Sequence, residues 1–299
     1  MSAYENPQLP EGINVSPTHP LKEFGLLLGG VSALVFIAVL VLSVAAGYLV
    51  RFIPFAQEQA LASSINADRL KQSQSAEDKR REQYLQSLGQ RLSAAMDLPE
   101  GMRITVHYSS DKTVNAMATL GGNIIVFQGL IDTVDSENAL AMVLAHEIAH
   151  IRHRHPIIAM GRGFTVMLAL SALSGIGDGL MQQWIGSMGM LPVLAFNREQ
   201  EEVADADALQ ALVRVYGHAS GATAFFEHVA NQSGLPEPPA LLNTHPDTGD
   251  RIDRIRRFET AHATTGAADL EPLPYFMERQ EAEAQEPPAE TEPDVAPPG

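Results

Sequence analysis

The stretch SENALAMVLAHEIAHI, residues 136–151, decides how this chain is read. Its apolar residues Ala139, Leu140, Val143, Leu144, Ile148 and Ile151 recur at helical intervals, and Asp135 or Ser136 offers an N-capping side chain just ahead of them. The segment therefore predicts an amphipathic helix, ended or kinked by Pro156. Within it, His146 and His150 lie four residues apart, on one face, where both imidazoles can reach a single ion. Glu147 stands about 100° round the helix, beside the pair without joining it. Leu144, Ile148 and Ile151 flank the histidines, so unliganded imidazoles there would need other hydrogen-bond partners. An HExxH string also occurs on ordinary polar helix faces, and the rest of the chain has to decide between the two.

The 299 residues contain no cysteine. Disulfides, thiolate nucleophiles and Cys-ligated zinc are thereby excluded, and a metal site must use His and carboxylates. The net charge of -16 argues against a nucleic-acid partner, which requires clustered Lys and Arg. Catalytic zinc takes three protein ligands and keeps one position open, so a carboxylate is needed beside the two histidines. Glu201 fits best: it opens a helical pattern that runs through Ala206 to Tyr216, and it shares a face with Asp205. Asp205 can accept the second ring N–H of a ligand histidine and fix its tautomer. Glu199 and Glu202 read as solvated acids near a helix start.

Upstream, Glu82 to Met96 has helical spacing, while Arg103–Tyr108, Val114–Thr119 and Asn123–Phe127 read as strands with a turn at Gly121-Gly122. The fold class expected is α+β: a mainly helical domain over residues 81–262 with a small antiparallel sheet. Residues 51–80 read as a polar juxtamembrane connector. From Phe24 to Val50 no residue is charged, and the run is long enough to cross a bilayer, so residues 24–50 are expected to form one transmembrane helix. A cleaved signal peptide is the alternative, weakened by a long leader with Lys22 as its one Lys or Arg. Residues 1–23 read as a flexible tail and 263–299 as a disordered, acidic, Pro-rich one. Ile157 to Phe196 is apolar and Met-rich, with Arg162 and Asp178 interrupting it. Neither half makes a comfortable span, which leaves a mobile lid or plain core helices. His153 and His155, with Arg152 and Arg154, are expected to cap the last carbonyls of the histidine helix.

The two ligand segments together resemble the metallopeptidase family that includes the heat-shock protease HtpX, the periplasmic chaperone-protease BepA and the CAAX prenyl endopeptidase. There an HExxH helix is followed by a second helix reading roughly Arg-x-x-Glu-x-x-x-Asp, and Arg198, Glu201 and Asp205 match it in register. Asn115-Ala116-Met117-Ala118 resembles the family's edge strand, and Thr244-His245-Pro246 with Arg251-Ile252 its distal segment. The likeness runs from about Gln83 to Arg257; Asn197, Met117 and Leu120 depart from the usual Ser, Phe and Pro without removing a ligand.

The resemblance implies a zincin-like fold, one Zn2+ ion held by His146, His150 and Glu201, and hydrolysis of polypeptide substrates by an endopeptidase. Glu147 would act as general base toward a water whose pKa zinc lowers from 15.7 to about 7. His245 would stabilise the oxyanion, and Asn115 and Ala116 would bind an extended substrate by strand addition. In HtpX and the prenyl endopeptidase the interval between the ligand helices holds membrane segments; this chain resembles the soluble relatives instead. The expected role is membrane or envelope protein quality control, on misfolded or membrane-associated chains. The expected place is a bacterial-type inner membrane, single-pass, with a periplasmic catalytic domain. The alternative is a metal-containing chaperone-like or gated binding protein with little basal proteolysis.

Overall fold

The computed structural model describes residues 19–66, 75–174, 196–232, 245, 250–262 and 269–277. Along the chain run α1 (Pro20–Leu49), α2 (Phe55–Asn66), α3 (Ala76–Ala95), β1 (Thr105–Ser109), β2 (Ala116–Ala118), β3 (Asn123–Phe127) and the short α4 (Gln128–Ile131). Then follow α5 (Glu137–Arg152), α6 (His155–Ser174), α7 (Arg198–Tyr216), α8 (Ala224–Gln232) and α9 (Asp250–Ala261). The molecule is mainly helical with one small sheet, α+β as expected.

The histidine helix α5 is the centre of the domain. The Ser136 side chain accepts the Ala139 N–H and satisfies one of the donors that a helix start leaves open. Every residue from Glu137 to Ile151 is buried, so α5 is covered all round rather than on one stripe. It packs chiefly on α7, and both helices carry buried alanines at near-turn spacing (Ala141, Ala145 and Ala149; Ala204, Ala208 and Ala211), which let backbones approach closely. Glu137 ties three helices together: its carboxylate accepts from Tyr84 on α3, from Arg91 on α3, and from Tyr216 on α7. Asn197 caps α7 in a capping box with Gln200, so the replacement of the family's usual Ser keeps the function of that position.

The sheet is mixed, which corrects the antiparallel expectation. Its order is β1-β3-β2; β2 pairs antiparallel with β3 through Ala116↔Val126 and Ala118↔Ile124, and β1 pairs parallel with β3 from Thr105↔Asn123 to Ser109↔Phe127. The β2–β3 reversal turns at Gly121 and Gly122, both with positive φ; a Cβ on Gly122 would lie 2.0 Å from the Arg103 carbonyl oxygen. That close approach brings the chain entering β1 against the turn, so β1 takes the free side of β3 and β2 is left at the edge.

Three boundaries also differ from expectation. Residues 51–80 are not all connector: α2 lies in them, and its buried Glu58 accepts the Gly121 N–H at 2.9 Å and pairs with Arg154 at 2.8 Å. Part of the residues expected to be a disordered tail, 269–277, folds back on the domain. The Glu271 backbone pairs with the Glu137 N–H and the Asn138 side chain, and Leu273 and Met277 join the core. The acidic composition around this segment hides its few apolar anchors. Finally α6 is one continuous helix whose Val166, Leu168 and Leu170 are exposed, so a plain core helix does not describe it. Residues 175–195, the rest of the lid-or-core stretch, and 278–299 lie outside the described residues, as do 1–18 of the leader.

Met277→Ala is expected to destabilise the domain by about 2–5 kcal/mol, the range for emptying a buried Met position. Chemical denaturation followed by circular dichroism checks this; an unchanged midpoint would detach residues 269–277 from the core.

Candidate metal centre

Two turns of α5, the first turns of α7 and the isolated described residue His245 meet at one place. The Nε2 atoms of His146 and His150 face each other at 3.0 Å, and the Glu201 carboxylate lies 3.4 Å from each. His245 Nδ1 stands 3.1 Å from His146 Nε2 and 3.1 Å from Glu201 Oε1. These four side chains are buried, and they offer ligand atoms all within 4.8 Å of one another, a group that can hold one metal ion.

The donor chemistry fits a cation. His146 Nδ1 lies 3.0 Å from Asp205 Oδ1 and His150 Nδ1 lies 2.8 Å from His155 Nδ1. With Nδ1–H donating in both rings, each Nε2 is left as a bare lone pair, and two lone pairs facing at this distance repel unless a positive charge lies between them. Ligands at about 2.0–2.1 Å from a tetrahedral zinc stand roughly 3.3 Å apart, and the observed spacings of 3.0–3.4 Å match. The titration behaviour agrees. Burial and the Arg251 guanidinium oppose a charge on His146, but hydrogen bonds to Asp205 and Glu201 outweigh them and raise its pKa to about 9. The site thus draws in a positive charge, a proton if nothing else. Burial alone would raise Glu201, yet the neighbouring imidazoles, His146 foremost, hold it far below the usual carboxylate range.

Glu147 is fully buried. Its Oε2 accepts the Ala118 N–H at 2.6 Å, so the edge strand β2 holds the carboxylate in place. The other oxygen, Oε1, has no hydrogen-bond partner and lies 3.4 Å from His245 Nε2. Such an orphaned acceptor in a buried position is costly unless it has work at the site. Ala116 on β2 and Asn115 just before it are buried, and the Asn115 side-chain oxygen also lacks a hydrogen-bond partner. Asn115 and Thr119 face β3 through Phe127 N–H···O Asn115 and Thr119 N–H···O Asn123, so by alternation the backbone groups of Ala116 and Ala118 point away from β3, the Ala118 N–H toward Glu147.

The contacts of three neighbours with the site escaped the sequence reading. Arg251 on α9 is buried; it donates to Asp205 at 2.7 Å, reaches Glu201 at 3.3 Å, and rests on the Phe226 ring. Phe196 stacks on the His150 ring with centroids 3.9 Å apart. His155 does not cap α5. Arg154 before it has φ 60, a left-handed conformation rare outside glycine, and the chain turns back so that His155 meets His150. Arg154 is held there by Glu58 and by the Ile53 carbonyl. Burial, then the nearby His153, push the His155 pKa down to about 3, so it stays a neutral acceptor for the His150 N–H. His153 likewise turns from the helix end to Asp207, which also binds Arg152.

A family model described as Peptidase family M48 matches residues 79–259, which contain His146, Glu147, His150, Glu201, Asp205, His245 and Arg251. The chain belongs to peptidase family M48. Its M48 relatives include the beta-barrel assembly-enhancing protease of Yersinia pestis, 29% identical over 189 residues that cover 58% of this chain and 38% of that protein. The mitochondrial metalloendopeptidase OMA1 of Schizosaccharomyces pombe is 29% identical over 178 residues, 58% of this chain and 52% of that one. The beta-barrel assembly-enhancing protease of Escherichia coli K12 is 29% identical over 196 residues, with 58% and 38% covered. This M48 chain thus spans between 38% and 52% of the length of these relatives.

Two outcomes are expected. His155→Ala should weaken metal binding about 10–100-fold by freeing the His150 ring, measured by competition with a chromophoric chelator; an unchanged affinity would make the contact incidental. Because His146 carries a proton below about pH 9 in the metal-free protein and must shed it to bind, apparent metal affinity should fall by up to about tenfold per pH unit from 9 to 7.

Proposed function

We propose that this chain is a membrane-anchored zinc endopeptidase. The observation that carries the reading is the convergence of His146, His150 and Glu201 beside Glu147, whose Oε2 is fixed on the Ala118 N–H and whose Oε1 has no hydrogen-bond partner. His146, His150 and Glu201 hold the ion, Asp205 and His155 hold the two rings, and Arg251 holds the two carboxylates. Bound there, zinc supplies Lewis acidity that lowers the pKa of water to about 7 and polarises a peptide carbonyl.

Glu147 Oε1 takes the proton from the attacking water and passes it to the nitrogen of the leaving amine, while Oε2 keeps the carboxylate aimed. His245 lies among the ligand atoms in the resting arrangement. From there its ring can offer an N–H to the oxyanion. Asn115 and Ala116 bind the substrate backbone along the edge of β2. Ala116 is buried at rest, so an incoming strand has to displace what covers it.

The helix from Pro20 to Phe52 is long and apolar enough to cross a membrane, and none of its most apolar window is buried. On our reading it anchors the peptidase in a bacterial-type inner membrane, with the domain on the extracytoplasmic face and misfolded or membrane-associated polypeptides as substrates. Protein quality control is the role that suits this placement. A second reading, a gated or chaperone-like protein with little basal turnover, is favoured by the burial of all four donors and of Glu147.

Glu147→Gln should keep its zinc by elemental analysis and lose proteolysis of casein by about 10²–10⁴-fold. Cleavage near the wild-type rate would refute the assignment of the base. Zinc-loaded wild-type protein that leaves casein intact, with or without chelator, would favour the gated reading.

A further inference from the structure

We propose that α6 enters the lipid bilayer beside α1, so that acyl chains cover its exposed apolar surface and the metal centre sits at the membrane boundary. The inference rests on the reading of α1 as a membrane span. From Gly163 to Ser174, α6 carries no charged residue. Val166, Leu168 and Leu170 are 42%, 46% and 51% exposed. Val166 and Leu168 point about 200° apart, so the helix is uncovered on more than one side, the pattern of a helix surrounded by apolar solvent.

The principal packing partner of α6 is α1. At the root of the pair the contact is close: a Cβ on Gly47 would lie 2.9 Å from Arg162 Nε, and one on Gly161 would lie 2.9 Å from Val50 Cγ1. Small residues that let two helices touch are the usual means of association in lipid, where no hydrophobic drive separates protein from solvent. On α1 the partly covered residues Val35, Val39, Ser43 and Ala46 follow one stripe back from Gly47. From Gly47 back to Val35 and from Arg162 on to Ser174, each helix rises about 18 Å away from this root. That is more than half of a hydrocarbon core about 30 Å thick.

The charges mark the boundary. Arg51 and Arg162 both lie at the root, exposed, where long cationic side chains reach the headgroup layer. His155, in contact with His150, is seven residues from Arg162, about 10 Å along the helix. The substrate class that follows is polypeptide emerging at the bilayer surface.

The chain has no cysteine, so single-cysteine variants of the full-length protein report one place each. Leu168→Cys and Val166→Cys on α6, Leu34→Cys on α1 and Gln90→Cys on the exposed face of α3 are labelled with an environment-sensitive fluorophore. Each is placed in phosphatidylcholine–phosphatidylglycerol nanodiscs with plain or chain-brominated lipid. Bromination should quench the labels at 168, 166 and 34 by about twofold or more, and leave that at 90 unchanged, since bromine acts only within the hydrocarbon layer. Quenching at 34 with water-like emission at 168 and 166 overturns this inference alone. Quenching at none of them overturns the membrane reading as well. Blue-shifted labels at 168 and 166 that ignore bromination indicate cover by protein, a second copy included, and also overturn it.

Discussion

Six polar groups that each resist burial lie together in the middle of this domain: the imidazoles of His146, His150 and His245, the carboxylates of Glu201 and Asp205, and the Arg251 guanidinium. Left alone in an apolar interior, a charged or polar group costs several kcal/mol, so such a cluster survives only if its members satisfy one another. The rest of the architecture supplies most of that condition, leaving Asp205 Oδ2 and Arg251 Nε without a hydrogen-bond partner. The histidines need α5 at the centre of the core, Glu201 and Asp205 need α7 packed close against it, and Arg251 needs α9 on the far side. The Glu137 network at the start of α5 then sets how α3, α5 and α7 sit together, several turns from the centre.

How much of this could be read from residues alone depends on the range of each interaction. The two histidines were legible because a four-residue step fixes their relation within one helix. Glu201 was legible because the absence of cysteine narrows the choice of third donor and a second helical pattern starts beside it. His155 was not, because its approach to His150 hangs on a left-handed Arg154, a conformation no local propensity favours, stabilised by Glu58 almost a hundred positions earlier. The parallel pairing of β1 with β3 escaped for a similar reason: alternation marks strands, but which strand takes a free edge is a tertiary choice. The segment 269–277 escaped because its few apolar anchors are diluted by the acidic, Pro-rich sequence around it.

The same comparison explains why the apolar interval after α5 resisted assignment. Composition there is compatible with a core helix, a lid or a membrane element, and periodicity does not separate them. Exposure does. α6 leaves the domain directly from the ligand helix; its first turn enters a core cluster through Ile157, and its principal packing partner is α1. The domain and the apolar pair are therefore joined at the Arg154 reversal, a short, hydrogen-bonded corner rather than a loose linker.

The ligand set itself carries a last consequence. A centre built from imidazole and carboxylate, in a chain without a single thiol, has nothing for peroxide to oxidise at the ligands and nothing for a disulfide reductant to open. Thiol–disulfide exchange in the surrounding compartment therefore has no donor atom to act on here.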